Sequence, residues 1–364
     1  MLIQAILLIT STIAIVTIYK IYSCLFYFET ISFDKNTNQR TNKKNILLIN
    51  SIESGFGGGP THMISIYKNL IKNGHNVQLL AINNSDVSKQ LKQLKIPHHV
   101  YNKIIKFKNT IQPGLYSAIF KICKKENIQI INCNLDKELR ATKKIANKLP
   151  VKIILTHHSH NNIQYKYLNN ISLDGAICVH HQLSQNLKID NQNKNLKIKH
   201  ILSMPPFFEE DRFLNFTTQN SRKVFFEQEF GIKIKDLPII CMIANMYKDI
   251  THKNHPLLIK AAHKLIHEKN KPVQVVLVGD GDRKNEIEKL VKSLDLKDYI
   301  HFTGLTDKTP EILFHSDIKA LVSRNEAFGI VIMEAALLKK PIICAHNTGA
   351  YKAIKQDYYL NLIT

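Results

Sequence analysis

The stretch Ser323 to Glu334, S-R-N-E-A-F-G-I-V-I-M-E, constrains this chain more than any other. The apolar run Ile318 to Val322 before it reads as a short buried strand, and the apolar, alanine-containing run Ile330 to Leu338 after it reads as a helix. The stretch is thus a strand-to-helix turn, the place where α/β sheets bind ligands. Gly329 lets the backbone approach a ligand closely, and the amides that open the helix at Phe328, Gly329 and Ile330 carry partial positive charge suited to phosphate oxygens. Glu326 lies before the helix, while Glu334, eight residues on, lies more than a turn inside it. Carboxylates so placed contact different parts of one elongated ligand instead of sharing a proton. The bland alternative is a charged loop followed by a helix glutamate in a surface ion pair.

Strand, glycine turn and helix also open the soluble part of the chain. Asn45 to Asn50 reads as a buried strand, Ser54 to Pro60 (S-G-F-G-G-G-P) as a loop, and Thr61 to Asn73 as an amphipathic helix closed by Gly74, before a second strand from Asn76 to Ile82. This unit lacks a clean G-x-G-x-x-G and no acidic residue ends its second strand, which argues against a dinucleotide. Further βα units follow: strands near His98 to Tyr101, Ile128 to Asn132 and Val151 to Leu155, with helices over Leu115 to Glu126 and Lys137 to Lys148. The last strand runs into Thr156-His157-His158-Ser159-His160, which sets a histidine at a strand end. Neither these histidines nor His180-His181 have a supporting Cys or Asp pattern, so no metal site is expected.

A length of 364 residues suggests two domains plus extras. Six cysteines without C-x-x-C spacing indicate neither a zinc site nor a disulfide framework and fit a reducing compartment. The formal charge of +21 favours anionic partners. Nucleic acid is set aside because no helix-turn-helix, RNA-binding or zinc-finger signature is present. Met1 to Tyr19 carries no charge, and as a helix it reaches about 30 Å, enough for a bilayer core. Residues 1–30 are therefore expected to form a retained transmembrane anchor, with 31–44 as a polar tether. Lys20, Lys35, Arg40, Lys43 and Lys44 flank it on one side only, which places the remaining chain on the cytoplasmic face of the inner or cytoplasmic membrane.

From Val273 to Ile354 the order strand-G-D-G, helix, F-x-G, helix, S-x-x-E-x-F-G, E-A, P-I-I resembles the retaining nucleotide-sugar glycosyltransferases of the GT-B fold, the large family 4, or group 1, type. The resemblance implies two Rossmann-like α/β domains facing across a cleft: an acceptor-side domain over 45–205, a linker over 206–222, and a nucleotide-sugar-binding domain over 223–364. It also implies roles. Glu326 contacts donor-sugar hydroxyls, Glu334 the nucleotide ribose, and the amides of Phe328, Gly329 and Ile330 the diphosphate. Gly58 and Gly59 lie near the donor phosphates, and His158, with His157 as fallback, lies near the reacting carbon. His62 could touch substrate, although a histidine on a helix face is more often packed or solvated.

This sequence departs from the family pattern in several places. Ala244-Asn245 stands where Gly-Arg is usual, so Lys253, with Lys248 as second choice, is the expected phosphate ligand. Ala327 and Lys340 replace glycines, Lys352 replaces a frequent glutamate, and the chain stops at Thr364, which suggests a shortened C-terminal domain. The implied activity is transfer of a sugar from a nucleoside diphosphate sugar to a membrane-associated glycan or lipid-linked acceptor with retention, needing no metal and no cofactor. The competing reading is a catalytically weak nucleotide-sugar-binding partner in a glycan-assembly complex. A hydrolase using Glu326 and Glu334 as acid and base finds no support in a motif split between loop and helix.

Overall fold

The structure, a computed structural model, describes residues 43–53, 55, 57–103, 113–158, 171–194, 196–214, 220–247, 253–324, 326–345, 348, 349 and 351. The expected anchor, nearly all of the tether, Lys248 and residues 352–364, on which the expectation of a shortened C-terminal domain bears, lie outside the described residues. Among the described residues no helix is long and apolar enough to cross a membrane. Contacts divide the chain into two units that meet in sequence at Phe208 and Glu209.

The first unit is a parallel sheet of seven strands: β1 (Asn45–Asn50), β2 (Asn76–Ile82), β3 (His99–Tyr101), β4 (Ile130–Cys133), β5 (Lys152–His157), β6 (Gly175–Cys178) and β7 (Ile201–Ser203). Their spatial order is β3-β2-β1-β4-β5-β6-β7, so chain direction across the sheet reverses between β1 and β4. Ile46 and Leu48 of β1 with Val77, Leu79 and Ala81 of β2 bury one face. Against that face pack Met63 and Ile64 of helix α1 (Gly58–Lys72) and Val87 and Leu91 of α2 (Asp86–Gln93). Leu47 and Ile49 are buried on the other face, as a parallel sheet covered on both sides requires.

Four local details differ from the sequence reading. Helix α1 begins at Gly58, not Thr61, which puts Gly58 and Gly59 in its first turn; Pro60 is tolerated there because first-turn amides have no intrahelical acceptor. Strand β5 continues to His157, so His158 is the first residue past it. The helix expected from Lys137 is a 3-10 turn, Asp136–Glu138, leading into Leu139–Ala146. Helix α2, unforeseen in sequence, starts from Ser85, whose hydroxyl accepts from the Ser88 amide at 3.1 Å.

The second unit is a five-stranded parallel sheet of β8 (Ile239–Ile243), β9 (Gln274–Val278), β10 (Ile300–Gly304), β11 (Ile318–Leu321) and β12 (Ile342–Cys344), in the order β10-β9-β8-β11-β12. One face is closed by Leu258 and Ile259 of the helix His255–His263 and by Ile287 and Val291 of the helix Lys284–Ser293. The first of these helices was expected to run to Lys269; beyond His263 it widens into a π turn, Lys264–Glu268. Ahead of β8 lies the helix Arg222–Phe230, which starts from Ser221 and stops at Gly231 with φ +65°. Arg222 forks onto Asp317 at 2.8 and 3.0 Å, and Asp317 also accepts the Ile239 amide at 2.8 Å, which ties this helix to the amino ends of β8 and β11.

Phe226 of that helix is fully buried, its ring 5.1 Å from Phe225 and 6.4 Å from His315. Phe226→Ala should cost about 3–5 kcal/mol in urea unfolding, because the cavity can collapse only partly. Val224→Ala on the exposed side of the same helix should stay within about 0.5 kcal/mol. Equal losses at both positions would contradict this packing.

Candidate functional site

In the second sheet, chain order reverses between β8 and β11, and the crevice outside the carboxyl ends of these strands is where an open α/β sheet receives ligands. The motif at Ser323 to Glu334 lies at that point. It leaves β11 and enters a helix, Ile330–Leu337, designated αE here for the glutamate it carries. Gly329 caps αE with φ +87°, a left-handed conformation that suits glycine. A Cβ on Gly329 would come within 2.9 Å of Leu321 Cδ2 and 3.3 Å of Glu326 Cγ. Gly349 closes the turn from the other side: its amide donates to the Glu326 carbonyl at 3.2 Å, and a Cβ on it would strike the Ala327 carbonyl oxygen. Phe328 and Ile330 are buried, and the first turn of αE contains no acidic side chain to occupy its amides.

Glu326 and Lys253 were expected to serve separate parts of a donor. The structure joins them. Lys253 Nζ donates to Glu326 Oε2 at 2.5 Å, and Ser323 Oγ donates to the same oxygen at 3.3 Å. Both side chains are mostly shielded, with 20% and 15% of their surface exposed. Lys253 directly precedes Asn254, which starts the following helix from a left-handed conformation with φ +61°. Asn245 lies just past the end of β8 and offers no charge.

Glu334 sits on αE, where burial raises its carboxyl to about 7 against the opposing pull of Lys319 and Arg212. Lys319 was overlooked in the sequence. It is fully buried in β11, its Nζ has no hydrogen-bonding partner among the described residues, and burial brings its ammonium down to about 8. A lysine within I-K-A-L-V, a strand otherwise apolar, was the available signal.

In the first unit the corresponding reversal lies between β1 and β4. His158 follows β5, and one of its ring nitrogens, Nε2, is 3.0 Å from Asn134 Oδ1. Its ring stands edge-on to His62 with centroids 5.2 Å apart, and Gly59 approaches it so closely that a Cβ there would touch the imidazole at 3.8 Å. His62 is packed, not solvated: it is fully buried beside the Phe207 ring at 5.8 Å, and neither ring nitrogen has a partner among the described residues. Burial brings His62 down to about 4 and His158 to about 3, so both are neutral at pH 7. Gly58 lies in the first turn of α1 beside Gly59.

The carboxylate of Glu138 anchors this end of the sheet. It accepts from the amides of Ser51 at 2.7 Å, Asn134 at 2.9 Å and Leu135 at 3.2 Å, so it locks the carboxyl ends of β1 and β4 together. Burial outweighs these donors and raises it to about 7. In sequence Glu138 was simply one charge inside an expected helix. Among the described residues no group of three His, Cys, Asp or Glu side chains is arranged to hold a metal ion.

The family described as glycosyl transferases group 1 matches residues 225–362, the span that contains Lys253, Lys319, Glu326 and Glu334. The N-acetyl-alpha-D-glucosaminyl L-malate synthase of Bacillus anthracis is 32% identical over 129 residues, 35% of this chain and 32% of that protein. The phosphatidylinositol N-acetylglucosaminyltransferase GPI3 subunit of Saccharomyces cerevisiae is 23% identical over 320 residues, 83% of this chain and 67% of that protein. The chain spans about a third of the length of several curated relatives, the Bacillus protein among them. Among solved structures, Anabaena HepE in complex with UDP and glucose matches with a TM-score of 0.69 at 18% identity, over 88% of this chain and 84% of that one. Likeness at that identity speaks for the fold: two parallel-sheet α/β units of the kind found in GT-B glycosyltransferases. It is through its residues 225–362 that the chain is similar to the group 1 glycosyl transferase family.

Proposed function

We propose that the protein is a retaining glycosyltransferase that moves a sugar from a nucleoside diphosphate sugar to a glycan or lipid acceptor at a membrane. The observation that carries this reading is the placement of Glu326 and Glu334 on either side of the amide-bearing start of αE, at the reversal point of the second sheet. Departure of the nucleotide leaves growing negative charge on its diphosphate while the sugar takes on oxocarbenium character. Helix-start amides at Phe328, Gly329 and Ile330, together with the Lys253 ammonium, are the groups here that favour that charge. In this reading the arriving diphosphate draws Lys253 Nζ from Glu326, and the freed carboxylate accepts from sugar hydroxyls. Glu334 takes the ribose hydroxyls. From the first unit, His158 is assigned to the reacting sugar, with a neutral imidazole that can accept or donate one hydrogen bond. Gly58 and Gly59 are assigned to close approach of the donor phosphates. No metal or other cofactor enters these assignments.

Named partners of relatives support the substrate classes. HepE has been solved with UDP and with glucose, and the yeast relative is named for transfer to phosphatidylinositol. The +21 charge and the uncharged run from Met1 to Tyr19 support a single-pass anchor over residues 1–30 with the catalytic units on the cytoplasmic face. The domain limits 45–205 and 223–364 are kept as the working boundaries.

The detergent-solubilised protein, given a panel of UDP-, GDP- and ADP-sugars with membrane extract, should consume one donor. Glu326→Ala should reduce that turnover by about a hundredfold or more, the scale seen when one preorganised polar contact in a transferring site is lost. Nucleotide binding without turnover of any donor would replace the enzyme with a binding partner. Removal of residues 1–30 should slow transfer to lipid acceptors more than transfer to water-soluble ones; equal rates on both would remove the membrane-acceptor part.

A further inference from the structure

Lys319 has no role in the assignments above, yet a well-packed apolar side chain in its place would ordinarily be as stable or more so. Parallel pairing sets Cys241 of β8 and Ile342 of β12 beside it. Five titratable groups act on its charge: Cys241 of β8, Glu334 of αE, Glu326 of the motif loop, and Lys253 and His255 at the head of the helix after β8. Four of these carry no uncompensated charge of opposite sign. Burial raises the Cys241 thiol and lowers His255 to about 4, so both are neutral at pH 7, and Lys253 and Glu326 offset each other in their ion pair. Glu334 is then the uncompensated counter-charge left to Lys319 among the described residues. Arg212, which also acts on Glu334, lies toward the surface and donates to the Asp307 carbonyl at 2.7 Å.

We propose that Lys319 is a positioning residue for donor binding: from β11, on which αE packs, it holds Glu334 as a carboxylate able to accept from ligand hydroxyls, and so ties nucleotide affinity to pH. The proposal rests on the donor-binding reading above. Glu334 sits close to half-ionised near pH 7, where a neighbouring cation has the most effect on its charge. Loss of that cation lets the carboxyl keep its proton to higher pH. A one-unit rise would lower the ionised fraction about fivefold at pH 7 and by less than about twofold at pH 8.5.

The test measures UDP, GDP and ADP affinity from pH 5.5 to 8.5 for the full chain and for Lys319→Met, Glu334→Gln and the double variant, with Tm followed alongside. Lys319→Met should raise Tm, weaken the preferred nucleotide about fivefold at pH 7, and recover most of that loss at pH 8.5. Glu334→Gln should flatten the pH profile, and adding Lys319→Met to it should change the profile no further. A loss of affinity that is equal at every pH, or a pH profile that survives in Glu334→Gln, overturns the proposal. If the unaltered chain binds none of the three nucleotides, the donor reading has failed. The Lys319–Glu334 link is then decided by Tm, where additive effects of the two substitutions across pH 6 to 8 would refute it.

Discussion

The ion pair between Lys253 and Glu326 spans the reversal point of the second sheet, one partner reached from β8 and the other from β11. A parallel sheet covered on both faces buries its strands mostly in apolar side chains and places polar groups mainly at the strand ends, with Lys319 inside β11 as an exception. The pair is mostly shielded, so removing either partner would strand a charge, at a cost on the order of 3–5 kcal/mol. Its geometry depends on two glycines. Gly329 must turn left-handed to start αE beside Leu321, and Gly349 must lie against the Ala327 carbonyl. The loop that carries Glu326 is thus held by backbone packing on one side and by an ammonium on the other. A ligand that offers its own negative charge to Lys253 has an anchored carboxylate and helix-start amides to meet it.

Much of this was legible in the sequence because the signals were periodic. Val275 to Val278 and Ile46 to Ile49 are unbroken apolar runs, as strands buried on both faces must be, and each ends at a glycine turn or polar residue that marks the strand end. Glu326, Gly329 and Glu334 stood out because a fixed spacing across a turn is a local property. What the sequence did not disclose is long-range. Glu138 lies 87 residues from Ser51 and Lys253 lies 73 from Glu326, and no periodicity encodes such partners. Lys319 was hidden for the opposite reason: one charge in an apolar strand is outvoted by its neighbours. The start of α1 was misjudged because Gly-Gly-Pro reads as a loop, although Pro60 suits a first turn.

The two units handle buried ionisable groups differently. In the first, His62 and His158 are held neutral by burial and Glu138 is surrounded by backbone donors, an arrangement that fixes position more than charge. In the second, Lys253, Glu326, Lys319 and Glu334 form a charged cluster whose members compensate one another in part. Such a cluster is costly to assemble, and that cost is understandable where a charged ligand completes it.

Hydrogen exchange of the full chain with and without saturating nucleotide diphosphate tests the central claim most directly. Binding at the reversal point of the second sheet predicts slowed exchange at the amides of Phe328 to Ile332 and around Lys253, with little change on the strands β9 and β10 at the far edge. Protection confined to the first unit, or none at Phe328 to Ile332 while the nucleotide is bound, would contradict the account.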